Sequence, residues 1–530
     1  MKRLLLLVLV SLFVAACAGT GSVSREQELI NRAIAALGGA EAMRGMRSLS
    51  ISGTSKYREP EQSQMPGGEA RFAAEATFET LVDFAGHASR TDWVKNVAYP
   101  TPRTFKYSEI VTPDAGYVLG VDSNSRNKQS MESNPPAHGM SGLRLTATHR
   151  ELRRASPSLL LEMRANPSRV TRINDVDVSG TSHPALRYNA GNFDFIVLFD
   201  GQTGLPARVR TLDYDSVLGD SNYDLVFSDW QTIGGVRVAM SQKYELNGRT
   251  VIDTRITQVT PNAALPAGGI VIPPAFKAGA AKPAAGNVPY QWVLRRQFIG
   301  AYMDSDNASY DTQAGSGLRL QELAPGVQHQ VGGTHHGLIV EMRDYLIAFD
   351  APVSDWQSNW TIRTAQAKYG NKPIRYLVLT HHHMDHIGGF RAYAAHGATL
   401  VVGAGAGAHY RKLLAMPTTR NPDLAPRDLS GTTIIEVKDK QAFNDGKREV
   451  SAHLIDNPHA GSTLIGYVAD ARIGYVTDIW IPGPPLPAKI TSPLQALVNA
   501  VRQAGISPTR FAGGHGVAAD YGPLMKLAGQ

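Results

Sequence analysis

Thr380-His381-His382-His383-Met384-Asp385-His386-Ile387-Gly388-Gly389 is the stretch that decides how this chain is read. Five ionisable side chains fall within six residues, directly after the apolar run Ile374-Arg375-Tyr376-Leu377-Val378-Leu379. That run predicts a short buried strand. Packing alone does not call for so many imidazoles at a strand end. His381 and His383 are two apart, so an extended backbone points both the same way. Asp385 and His386 follow where the chain turns, and the Gly388-Gly389 pair is expected to let it turn sharply. Two imidazoles, with a carboxylate and a third imidazole beside them, suit two adjacent metal sites. Nitrogen and oxygen donors of this kind favour zinc, with iron or manganese as alternatives.

Four further motifs flank this one. Leu346-Ile347-Ala348-Phe349-Asp350 reads as a strand ending in aspartate, and Asn457-Pro458-His459-Ala460-Gly461-Ser462 supplies another histidine. Gly474-Tyr475-Val476-Thr477-Asp478 is again a strand ending in aspartate, and Gly513-Gly514-His515-Gly516 supplies a last histidine. Together with His-x-His-x-Asp-His, the ordered set resembles the metallo-β-lactamase superfamily over residues 320–530. The resemblance implies an αββα sandwich and two divalent metal ions, zinc first. It assigns His381, His383 and His459 to one ion and Asp385, His386 and His515 to the other, with Asp478 between them. It makes Asp385 and Asp478 the carboxylates that orient a metal-bridged hydroxide, and Asp350 a hydrogen-bonding support for the ligands. Neither a Ser-His-Asp order nor a Walker loop competes with this reading.

Within that family the residues narrow the substrate class. The best-known zinc β-lactamases replace the last histidine of the first motif by arginine and use a cysteine on the second metal; here His386 stands there and the domain has no cysteine. Another β-lactamase subclass keeps the histidine but lacks the bridging aspartate. Asp478 therefore points to the glyoxalase II, lactonase and phosphodiesterase branches, and His383 points away from the diiron flavoproteins. The expected reaction is hydrolysis of a small-molecule carboxylic ester, thioester or lactone. The alternatives are a β-lactamase and a non-enzymatic binding lipoprotein with a structural metal. The apolar run Ile479-Trp480-Ile481-Pro482-Gly483-Pro484-Pro485-Leu486-Pro487 reads equally as a pocket wall or a stiff connector.

The rest of the chain frames this domain. It has 530 residues, 43% of them hydrophobic, which is enough for two or more cores. The formal charge is +7, two of it from Lys2 and Arg3, and no dense basic run supports nucleic-acid binding. Residues 1–17 read as a secretory signal: a charged start, a short apolar run from Leu4 to Val14, then Ala15-Ala16-Cys17. The run is too short to span a bilayer. Small residues before a cysteine resemble the bacterial lipobox, and Cys17 is the only cysteine in the chain. The expectation is a lipidated Cys17 that anchors the protein in the membrane. Ala18 after it favours the outer membrane, facing the periplasm; without lipidation the protein would be secreted to the periplasm.

Residues 18–262 are expected to form a mostly antiparallel β domain with a few helices, so the whole chain is α+β. Ser24 and Gln27 form a capping box, and Leu29, Ile30, Ala33, Ile34 and Leu37 share one helical face. Phe193, Phe195, Val197 and Phe199 alternate, and Asn247-Gly248 predicts a two-residue hairpin. The pattern resembles a lipoprotein-carrier half-barrel, serving as a scaffold or holding an apolar ligand. His87, His138, His149 and His183 read as surface or turn residues. Residues 263–289, rich in Ala, Pro and Gly, form the expected linker to a catalytic domain over 290–530. In that domain Gly332-Gly333-Thr334-His335-His336 reads as a solvated turn, with substrate contact as the alternative. His382 should face away from the metals, and Ser492 should cap a helix with Pro493 at its first position.

Overall fold

The computed structural model describes residues 24–122, 136–282 and 317–529, except 422 and 426. The apolar start, Cys17 and the last part of the linker, residues 283–289, lie outside the described residues. No helix among the described residues is long and apolar enough to cross a membrane.

The first half is one thirteen-stranded antiparallel sheet. The strands from Ser48–Glu59 to Ala137–Gly139 form one wing and those from Val170–Val178 to Arg249–Pro261 the other. The first and last long strands close the seam, with Leu49 opposite Pro261 and Tyr57 opposite Ile252. The helix Arg25–Ala36 begins as its capping box requires: the Ser24 hydroxyl accepts from the Gln27 amide at 3.4 Å. Ile30, Ala33, Ile34 and Leu37 are buried against Leu186, Tyr188 and Phe195. Asn247 and Gly248 both take positive φ at the hairpin, as a two-residue turn demands.

Between the two wings lie two helices, Gly142–Ala155 and Ser158–Ala165, with Pro157 at the break. The first lays Leu145 and Ala147 among Phe105, Tyr107, Val118 and Tyr223 on one sheet face. Burying Arg144 there requires partners, and Glu109 and Asp122 supply them at 2.6 and 2.7 Å. Arg154 pairs with Glu151 and lies 4.5 Å from the Tyr223 ring centre. This face of the sheet is thus occupied by protein and carries paired charge.

Three of the four scattered histidines differ from their surface reading. His138 and His183 are buried, and His183 donates to the Phe199 carbonyl at 3.0 Å. His149 is half-buried and donates to the Thr112 carbonyl, also at 3.0 Å. Each finds a carbonyl or a packed strand that local sequence does not announce; His87 alone is an exposed turn residue. After the sheet, Ile270 and Ile272 are buried beside Ala88, Ile110 and Tyr117, so the described part of the linker packs on the first half.

The second half has two sheets, of seven and six strands, with helices outside both. Its strands carry near-continuous apolar runs because both of their faces are covered. Leu346 and Ala348 face the outer helices, packing with Ile362, Tyr393 and Tyr410. Ile347 and Phe349, one residue on, face the other sheet and meet Val450, Leu464 and Tyr475. On the far side Ile465, Val476 and Phe511 pack under Leu497, Val501 and Leu524. Helix, sheet, sheet, helix is the metallo-β-lactamase fold. The helix Ser492–Gln503 starts one residue earlier than expected: Thr491 occupies the cap position and its side chain makes no cap hydrogen bond.

The halves are joined by buried polar contacts. Arg391, fully buried, donates to the carbonyls of Ser216 and Val217 in the first half, each at 2.8 Å. Asp355 Oδ2 accepts from Tyr214 at 2.9 Å and from Asn421 at 2.7 Å.

Candidate metal centre

All the expected ligands follow strands, at one edge of the two sheets. The strand Ile374–Val378 leads into His381, His383, Asp385 and His386, and Glu449–Ile455 leads toward His459. Ile473–Val476 leads into Asp478, and Arg510–Gly513 into His515. Asp350 and Asp478 both break from their strands into the left-handed region, at φ 57° and 59°. Aspartate tolerates that conformation better than most residues. Gly388 and Gly389 have negative φ and sit at a short helix, Met384–Ile387. Their role is space: a Cβ on Gly388 would strike the Val353 carbonyl, and one on Gly389 the Ser354 carbonyl and Ser358 hydroxyl. The sharp turn expected of the pair is therefore a close approach.

Two donor sets result. His381, His383 and His459 form one, and Asp385, His386, Asp478 and His515 the other; within each set the donor atoms lie within 4.8 Å. Asp478 faces both. Its Oδ2 is 2.8 Å from His386 Nε2 and 3.5 Å from His381 Nε2. Its Oδ1 is 3.2 Å from His515 Nε2 and 3.8 Å from His459 Nε2. Donors about 3.3 Å apart are what a tetrahedral zinc with bonds of ~2.0–2.1 Å needs.

The far sides of the ligands are tied down. Asp350 accepts from the Thr380 amide at 2.7 Å and from its hydroxyl at 2.9 Å. His386 Nδ1 donates to Asp350 Oδ2 at 3.1 Å, which leaves Nε2 for the site. His381 Nδ1 donates to the Thr380 hydroxyl at 3.3 Å, and His381 Nε2 is left buried with no hydrogen-bond partner among the described residues. A buried acceptor nitrogen aimed at other donors fits a cation.

Electrostatics agree. Burial, reinforced by neighbouring imidazoles, pushes His381 and His383 well below the usual imidazole range, so both are neutral and ready to ligate. Burial alone would raise Asp385 and Asp478, but the histidines beside them, His386 first, hold both well below the usual carboxylate range. Burial would likewise lower His386, yet Asp478 and Asp385 beside it raise it well above the usual imidazole range, the pull of two carboxylates that a divalent ion would answer in place of a proton. Two half-buried carboxylates at one spot call for positive charge, which a divalent ion would provide.

His335 and His336 differ from the solvated turn read in the sequence. Both are buried, because the loop docks on the last motif: the His336 amide donates to the Gly514 carbonyl at 2.8 Å. His335 Nε2 lies 3.2 Å from Asp385 Oδ2, inside the site. Burial lowers its pKa to about 4, so the ring is neutral. His382 turns away and donates to the Ser63 carbonyl at 2.9 Å. The same carbonyl accepts from His383 Nε2 at 2.9 Å. Gln62, Ser63 and Arg71, all from the first half, therefore border the site, and no local sequence signal marks them.

The fold and the donor sets together define a metal-binding domain of metallo-β-lactamase type. A family model described as "Metallo-beta-lactamase superfamily" matches residues 354–520. No curated protein matches the chain. Among solved structures, a metallo-β-lactamase from Pontibacter korlensis is similar at 17% identity and TM-score 0.30, over 40% of this chain and 97% of that one. One from Hirschia baltica is similar at 18% and 0.31, over 40% and 96%. The inverting sec-alkylsulfatase Pisa1 from Pseudomonas sp. is similar at 16% and 0.32, over 40% of each chain.

Proposed function

We propose that this protein is a dinuclear metal-dependent hydrolase of carboxylic esters, thioesters or lactones. The observation that carries the reading is the Asp478 carboxylate, set between two complete donor sets. Two divalent ions held there, zinc first, would supply hydroxide near neutral pH and polarise the electrophilic oxygen of the substrate. The side chains do the rest. Asp478 fixes the spacing of the two sets, Asp350 holds the His386 ring in one tautomer, and buried His381 and His383 stay neutral. His335 donates to Asp385 Oδ2 and keeps that carboxylate from turning. Beside Asp478 lies a cavity of about 320 Å³, lined by Ile479, Trp480, Ile481, Pro485 and Leu494. Its apolar walls suit the hydrocarbon part of an ester or lactone. A structural zinc needs one closed tetrahedral site, so the paired sets favour catalysis over a purely structural metal.

The test is a panel of aryl esters, acyl thioesters, lactones and a chromogenic cephalosporin, run on zinc-loaded protein with and without chelator. Ester, thioester or lactone hydrolysis that chelation abolishes and zinc restores is expected. Turnover of the cephalosporin alone would make the protein a β-lactamase. Two bound ions with no turnover of any class would leave a binding protein.

We also place the protein at the bacterial outer membrane, facing the periplasm, through a lipid on Cys17. Several acyl chains anchor stably where one does not. Cys17→Ser is expected to release the protein from the membrane fraction and leave the activity of the soluble form unchanged. Retention of that variant on membranes would mean that another feature anchors it.

A further inference from the structure

We propose that the N-terminal sheet domain is a working part of the metal centre, and that Gln62 is a positioning residue for the metal ligand Asp385. The proposal rests on the dinuclear reading above and assigns to the first half a role that neither a scaffold nor a carrier would have. Asp385 has one oxygen turned inward and one outward. Oδ2 faces His335, His386 and His515 at 3.2, 3.4 and 3.7 Å. Oδ1 faces away from those rings and accepts from Gln62 Nε2 at 2.8 Å. The amide is itself held: Tyr99 donates to Gln62 Oε1 at 2.6 Å. Tyr99 in turn lies under the Arg71 guanidinium, 4.5 Å from its ring centre. Tyr99, Gln62 and Asp385 thus form a relay from the first half to the outer oxygen of a ligand.

The neighbouring residues do the same for the other donor set. His383 Nε2 donates to the Ser63 carbonyl, which fixes the tautomer that presents Nδ1 inward, 3.0 Å from His459 Nε2. Arg71 donates to the His459 carbonyl at 3.0 Å, and the Gly461 amide donates to the Gln64 carbonyl at 2.8 Å. Ligands of both sets are therefore oriented by the turn Pro60–Gln64 and by Arg71. Gln62 is 8% exposed, so water does not readily replace its amide. Hydrogen bonds of this kind fix ligand orientation, and their loss costs on the order of 10- to 100-fold in metal affinity.

The experiment is zinc binding by the full-length protein, measured by competition with a chromogenic chelator, with the absorption of the cobalt-loaded protein read alongside. Gln62→Met keeps the length of the side chain and removes the hydrogen bond. It is expected to weaken one ion by about 10- to 100-fold and to change the cobalt spectrum of that ion, leaving the other ion near its wild-type affinity. Tyr99→Phe, which removes only a hydroxyl, should act on the same ion in the same direction by a smaller factor. Melting of the metal-free variants should match wild type. Equal and unchanged affinities in both variants would overturn the proposal. So would equal weakening of both ions with a lowered melting point, because that is the mark of a wall that merely holds the fold. A wild-type protein that binds no zinc would sink the dinuclear reading itself, and this one with it.

Discussion

Asp478→Asn is expected to lower kcat on the order of 10²-fold or more, with little change in KM. The carboxylate has one oxygen toward His386 and His381 and the other toward His515 and His459, at 2.8 to 3.8 Å. Asparagine keeps the size and tolerates the φ of 59° at this position. What it loses is the charge and one of two oxygen donors. Contacts to the ground-state substrate survive, which is why KM should hold. Occupancy of the second ion should fall with kcat, measured by metal analysis on the same samples. Asp470→Asn is the control. Asp470 pairs with Arg448 at 2.8 Å but is 44% exposed at a hairpin turn, where solvent screens the pair. A variant that keeps both ions and full kcat would show that Asp478 is no bridge, and the β-lactamase arrangement would become the better account.

The second large effect concerns the ligand sets one at a time. Wild type should carry about two ions per chain. His381→Ala or His459→Ala should empty the site they share with His383, and His515→Ala the site shared with Asp385 and His386. Each should reduce turnover on the order of 10²-fold or more, because in the proposed reaction the two sets act on one substrate. His382→Ala separates ligation from simple loss of a buried imidazole: its ring points to Ser63, so occupancy should stay at about two. Full occupancy in all three ligand variants would remove the assignment.

The C-terminal layers were legible because their strands are covered on both faces and end in histidine or aspartate. Apolar runs such as Leu346–Phe349 and Ile473–Val476 show as blocks, with Asp350 directly after the first and Asp478 two residues after the second. What local sequence hid was distance and crowding. Gly388 and Gly389 read as turn formers, yet their φ angles are ordinary and the segment from Val353 into the helix at Ser358 presses on them. His335 and His336 looked solvated because burial there comes from Gly514, far along the chain. Gln62 lies 323 positions from Asp385, in a turn whose composition signals only a turn. Contacts of that range depend on how two cores dock, and no periodicity records it.

Each donor set draws on both layers of the sandwich. His381 and His383 follow a strand of the seven-stranded sheet, and His459 follows one of the six-stranded sheet. Asp385 and His386 come after that same strand of the first sheet, and Asp478 and His515 follow strands of the second. An ion in either set is therefore a rivet through the two layers. By mass action, an ion at a hundred times its dissociation constant adds about 2.7 kcal/mol to the resistance of the fold to unfolding. The protein should thus register the free zinc around it as heat tolerance as well as activity, and starvation for metal should loosen the seam between the two sheets.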